Sequence, residues 1–261
     1  MWLLYLRGKV TTFFMQTINI TVPKGWHELS QKKLRYVFFL LSEEYTAPAI
    51  KTLCLFRWSG LKVIAHQKGQ FHLRLDKTEF FITALQIAEA LSSLAWLDEL
   101  PKIPVRLEKI GRQRAVRADF QGVSFETFIA CENLYQGFLH TKNDTLLDQM
   151  ATHLYGIRRS LSKAERVNIF YWFAALKDYL ARSFPNFFQP AGRSADSSML
   201  GGTPNIGRRL QEAMNAQIRA LTKGDITKEK EILALDTWRA LTELDAQARE
   251  YDEMKKIYNR H

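Results

Sequence analysis

Apolar and polar positions along this chain change period several times, and each change predicts an element. Thr17 to Val22 alternates polar and apolar, the period of a half-buried strand, and Pro23-Lys24-Gly25 ends it. Ser30 stands where a helix N-cap belongs, and Leu34, Val37, Phe38 and Leu41 follow at i, i+3, i+4 and i+7. That spacing predicts a helix to about Ser42. A second helix is expected from Pro48, whose fixed φ suits a first turn, to Arg57, with Ser59-Gly60 as its stop. Two strands, Leu61 to His66 and Gln70 to Leu75, turn at Lys68-Gly69. Asp76 and Glu79 have capping-box spacing, and predict a helix carrying Phe80, Phe81, Leu85, Ile87 and Leu91. A second hairpin is expected from Val105 to Ile110 and Arg114 to Phe120, around Gly111.

The remainder reads as helical. Helices are predicted from Phe125 to Leu139, Thr145 to Tyr155 and Lys163 to Phe184, the last opened by a Ser162/Glu165 capping box. Phe170-Tyr171-Trp172-Phe173 makes that helix apolar on nearly all sides, which favours a core position over a base-stacking platform. Gln189 to Gly207 is crowded with Gly, Pro and Ser and reads as a flexible linker. Leu210, Met214, Ile218 and Leu221 mark a helix ended by Gly224, and Thr227 is expected to cap one final long helix. Residues 1–14 carry neither period and read as a dispensable leader, as a start codon set too far upstream would produce, with a short anchor as the competing expectation. The expected fold is α+β and predominantly helical, with two short β-hairpins. Its expected organisation is a globular domain over 15–188, a linker over 189–207 and a C-terminal helical hairpin over 208–261.

The chain's hydrophobic share of 46% supports a packed core, and a charged share of 25% is ordinary for a folded protein. Cys54 and Cys131 both lie among apolar neighbours and read as buried, reduced thiols. No apolar run reaches the ~20 residues that a membrane-crossing helix needs, and the expected location is the cytoplasm. Of the net charge of +10, most sits at the front: residues 1–75 hold 11 Lys/Arg against 3 Asp/Glu. A basic front end suits an acidic partner, nucleic acid included, although a charged face is more often simply solvated.

Catalytic, cofactor and metal motifs are absent from the pattern. Gly202 to Arg208 has arginines where a phosphate-binding loop needs Lys and then Ser/Thr, and no strand is expected ahead of it. Ser30-Gln31-Lys32-Lys33 matches a Ser-x-x-Lys pattern without its companions. His66 and His72 could face each other across the first hairpin, but two ligands make a poor zinc site. Arg106, Lys109, Arg112, Arg114 and Arg117 cluster on the second hairpin and are the candidate nucleic-acid contacts. On the final helix Leu241, Leu244, Ala248 and Tyr251 follow at steps of three, four and three, with Trp238 beside them. These five form a candidate surface for a protein partner or a second copy.

Gly25-Trp26-His27-Glu28-Leu29-Ser30, Cys54-Leu55-Phe56-Arg57-Trp58-Ser59-Gly60 and Lys223-Gly224-Asp225-Ile226-Thr227 with Trp238 to Leu244 carry a resemblance. From about Met15 to the C-terminus the chain resembles uncharacterised proteins of prophage-like elements in anaerobic gut bacteria, which accompany virion and tail-region genes. The resemblance implies a non-enzymatic structural or assembly factor in the host cytoplasm or the virion, and supplies no functional residues. The alternative expectation is a nucleic-acid-binding accessory protein that uses the basic N-terminal region and the hairpin at 105–120, with weak binding.

Overall fold

Capping side chains set the helix starts, much as the sequence predicts. Ser30 accepts from the Lys33 amide and opens α1 (Gln31–Leu41), while Thr46 accepts from Ala49 and opens α2 (Ala47–Ser59), with Pro48 in its first turn. The computed structural model describes residues 3–6, 16–67, 69–188 and 215–258, the side chains of 3–6 and 16–19 excepted. Its fold is α+β and predominantly helical. The chain divides into two compact units, Met1–Pro101 and Lys102–His261. The linker expected over 189–207, and with it Leu210 and Met214, lies outside the described residues.

In the first unit β1 (Leu3–Leu6) pairs antiparallel with β2 (Gln16–Asn19), Leu3 opposite Asn19. So the stretch expected to be a patternless leader supplies a strand. After α2, three strands form an antiparallel meander: β3 (Lys62–Gln67), β4 (Gln70–Leu75) and β5 (Thr78–Thr83). The helix expected from Asp76 is therefore wrong in its first two turns. Asp76 takes a left-handed turn conformation, φ 53°, and Phe80 and Ile82 point inward while Glu79, Phe81 and Thr83 point out. The capping box is real but lies later. Thr83 and Gln86 cap each other's backbone amides and open α3 (Ala84–Leu91). Leu61, Leu73, Phe80, Ile82 and Ile87 close the core beneath the meander.

Tryptophans fix the start of this unit to its end. Trp26 Nε1 donates to the carbonyls of Trp96 (3.2 Å) and Glu99 (3.0 Å), and Trp96 Nε1 donates to that of Pro23 (3.2 Å). Cys54 is buried and free, and burial pushes its thiol up to about 12.

The second unit begins with a small hairpin. Only β6 (Lys109–Ile110) and β7 (Gln113–Arg114) pair as strands, far less than the expected 105–120. The flanking backbone is bonded elsewhere. Leu107 N–H donates to Asn168 Oδ1 (2.8 Å), Tyr155 OH donates to the Leu107 carbonyl (2.6 Å), and Val116 N–H donates to the Leu154 carbonyl (2.9 Å). Then come α4 (Phe125–Thr141), α5 (Asp144–Tyr155) and α6 (Lys163–Ser183), the last with the predicted Ser162/Glu165 box. Trp172 and Phe173 are fully buried, with Phe120 edge-on to both, so the aromatic run of α6 is core. Cys131 is also free and buried, its thiol pushed far up by the same desolvation. Residues 215–222 form α7, which buries Ile218.

The single helix expected from Thr227 is broken in two. A 3-10 turn, Ile226–Lys228, leads into α8 (Glu229–Ala234), and Leu235 and Asp236 leave the helix before α9 (Thr237–Tyr258). The Leu235 carbonyl accepts from Phe125 N–H (2.7 Å), a bond that continued helix would forbid. Asp236 is the true cap of α9, accepting from the amides of Trp238 (2.9 Å) and Arg239 (3.2 Å). Among the described residues no helix is long and apolar enough to cross a membrane.

One ion pair gives the second unit a pH dependence. Arg166 grips Asp148 with two bonds (2.9 and 2.8 Å), and Leu161 N–H adds a third (3.1 Å). The Arg166 hydrogen bond is the main cause that holds the Asp148 carboxyl below its ordinary value. With the folded value below the unfolded one, about 3.9, this contribution is complete above the unfolded value and is lost as pH falls through the folded one. Melting of the chain should therefore move to lower temperature below about pH 4. Asp148→Asn should melt lower than wild type at pH 7 and show a shallower acid slope. Equal slopes would remove this pair from the acid response.

Candidate functional site

α9 is built in two halves. Its first half is fastened to the N-terminus of α4 and the end of α6. Thr237 donates both its N–H and its hydroxyl to the Val123 carbonyl, each at 2.8 Å. Trp238 Nε1 donates to the Asp119 carbonyl (2.6 Å), and its ring meets Tyr179 and Phe184 of the α6 region. Asp245 accepts from Asn186 and Phe187 amides and from the Asn186 side chain, which closes the chain leaving α6. Desolvation works to raise the Asp245 carboxyl, but these bonds prevail and hold it low.

The candidate docking stripe is divided by this arrangement. Leu241 is 0% and Leu244 4% exposed, covered by their own chain, and Trp238 is half-buried. These three are core of the helical unit, because α9 supplies the side that α4 and α6 leave open. Ala248 is half-buried at the boundary, and Tyr251 is 64% exposed. Beyond it Met254 (62%), Ile257 (62%) and Tyr258 (84%) extend the stripe in the open. Met254 and Ile257 were not among the sequence candidates. Their signal was available, since Met254 and Ile257 lie three and six residues past Tyr251.

The basic hairpin is likewise divided. Lys109 and Arg114 are directly opposite in register, hence on one face, and with Arg112 in the turn all three are exposed. Arg106 turns inward, its Nε on the Val116 carbonyl (2.7 Å) and its guanidinium over the Trp172 ring, and burial lowers its pKa first of all. Arg117 is exposed but engaged by Asp119 and Gln121. Three of the five candidates thus share the hairpin tip.

His66 pairs with Phe71 and His72 with Ala65, so the two imidazoles take opposite faces of the meander and cannot clamp one ion. Each ring lies on a phenylalanine, Phe71 and Phe81 respectively, at 4.4 Å between centroids. Ser30 serves as the cap of α1. No family model, curated protein or solved structure matches this chain. Function must then be argued from surface chemistry.

Proposed function

We propose that this chain is a non-enzymatic structural or assembly factor that works through protein–protein contacts, in the prophage setting that its sequence resemblance implies. The observation that carries the reading is the open run Tyr251, Met254, Ile257 and Tyr258 on a helix anchored at its other end. Contiguous apolar side chains left in water mark interaction surfaces, and helices dock through i, i+3 and i+7 anchors. The site of action proposed is the bacterial host cytoplasm or the virion itself. In a strain carrying the prophage, deletion of the gene should lower the yield of infectious particles. The wild-type chain should restore that yield and Met254→Glu should not. Unchanged yield on deletion would overturn the assembly reading.

A second reading rests on the hairpin tip, where Lys109, Arg112 and Arg114 present three cations together. Three phosphate contacts support only weak, non-specific binding, with dissociation constants around 10⁻⁴–10⁻⁶ M at physiological salt. Arg112→Glu with Arg114→Glu should abolish it in a filter or anisotropy assay. Nanomolar, sequence-selective binding lost in that double variant would put nucleic acid first.

A further inference from the structure

We infer that the open end of α9 is a self-complementary surface that pairs antiparallel with the same segment of a second copy of this chain. This rests on the protein-contact reading above and names its partner.

Three features of the segment lead there. The first is the stripe. At about 100° per residue, Tyr251, Met254 and Tyr258 fall within about 60° of one another. Ile257 and Glu250 lie on one shoulder of that stripe, and Lys255 and Asp252 on the other. The second is the order of charge. Residues 249–253 hold one arginine against three carboxylates (Glu250, Asp252, Glu253), and residues 254–258 hold Lys255 and Lys256 with no carboxylate. An antiparallel pair lays the acidic half of each helix along the basic half of the other. A parallel pair lays like on like. The third is steric. Leu241 and Leu244, which the chain's own helical unit covers, lie close to the face that carries Tyr251 and Tyr258. Two parallel copies would need both helical units in the same space between the helices. Antiparallel copies put those units at opposite ends.

Centred near Met254, the pairing sets Met254 against Met254, Tyr251 against Tyr258 of the second copy, and Lys255 within reach of Asp252 of the second copy. A two-fold contact of this kind buries the same patch twice. The overlapping segments span only about 14 Å, so the contact is smaller than a standard interface. The expected dissociation constant is between about 1 μM and 1 mM.

Sedimentation equilibrium of the full chain over a concentration series tests this. The mass should rise toward that of a dimer, and Met254→Glu should hold it at the monomer with an unchanged melting temperature. Two charge variants then probe the pairing itself. Over residues 249–258, Asp252→Lys with Glu253→Lys leaves a basic tail in which Glu250 is the one acid, and Lys255→Glu with Lys256→Glu leaves an acidic tail in which Arg249 is the one base. Each alone should stay monomeric, and an equimolar mixture at low salt should associate at least as strongly as wild type. A wild-type chain that remains monomeric near 1 mM overturns the inference. So does a mixture that fails to associate, or a Met254→Glu chain that melts several degrees lower, since its stripe would then be covered within one copy. If wild type is monomeric while particle yield still requires Met254, the self-pairing fails and the assembly reading stands with a different protein partner.

Discussion

Changing Leu241 and Leu244 together to Asp is expected to prevent the helical unit from folding. Both side chains are buried against their own chain, and each new carboxylate would have to lose its hydration to take the place of an apolar side chain. Even truncation to Ala at one such position typically costs 2–5 kcal/mol, roughly the scale of a domain's whole margin of about 5–15 kcal/mol. Two buried charges exceed that. The double variant should lose near-ultraviolet circular dichroism and accumulate as aggregate, whereas Tyr251→Asp, ten residues along the same helix, should melt as wild type does. A double variant with the native melting temperature would return Leu241 and Leu244 to the surface, against their burial here.

The second large effect is expected at Asn168, which is fully buried. Its Oδ1 accepts from the Leu107 amide (2.8 Å) and its Nδ2 donates to Tyr155 OH (3.1 Å), while that hydroxyl donates to the Leu107 carbonyl. This triangle is what holds the hairpin segment on α5 and α6. Asn168→Ala strands the Leu107 amide without an acceptor, a loss of about 1–3 kcal/mol, and leaves a small void besides. A drop in melting temperature of roughly 2–12 °C follows for a unit of this size. Hydrogen exchange at Leu107 and Val116 should accelerate more than exchange in the middle of α6. Uniform acceleration would mean that the triangle contributes only global stability.

Where the sequence predicted well, one local signal decided the outcome. Ser30 and Ser162 cap helices whose apolar residues already marked them for the core, so cap and hydrophobic pattern agree. The errors arise where a local signal had a rival of longer range. Asp76 and Glu79 carry the spacing of a capping box, yet Phe80 and Ile82 gain more by facing Leu61 and Leu73 across a third strand. The stretch from Thr227 to Tyr258 is locally helical throughout, and only Phe125, far away in sequence, supplies the amide that draws the Leu235 carbonyl out of the helix. Leu241 and Leu244 show heptad spacing whether a partner or their own chain covers them. Periodicity identifies a buried face; it does not say who buries it.

The bonds from Thr237 to Val123 span 114 residues, and that separation has a consequence in time. At a synthesis rate of about 5–20 residues per second, Val123 is made roughly 6–23 s before Thr237. For nearly all of that interval the amide of Phe125 awaits its carbonyl, and for about its second half the aromatic flank at Tyr179 and Phe184 awaits Trp238. Helices α4 to α6 can collapse early, but they collapse into an unfinished body with a greasy seam. A product truncated between α6 and α9 would keep that seam open, because the residues that close it lie on α9 and just before it.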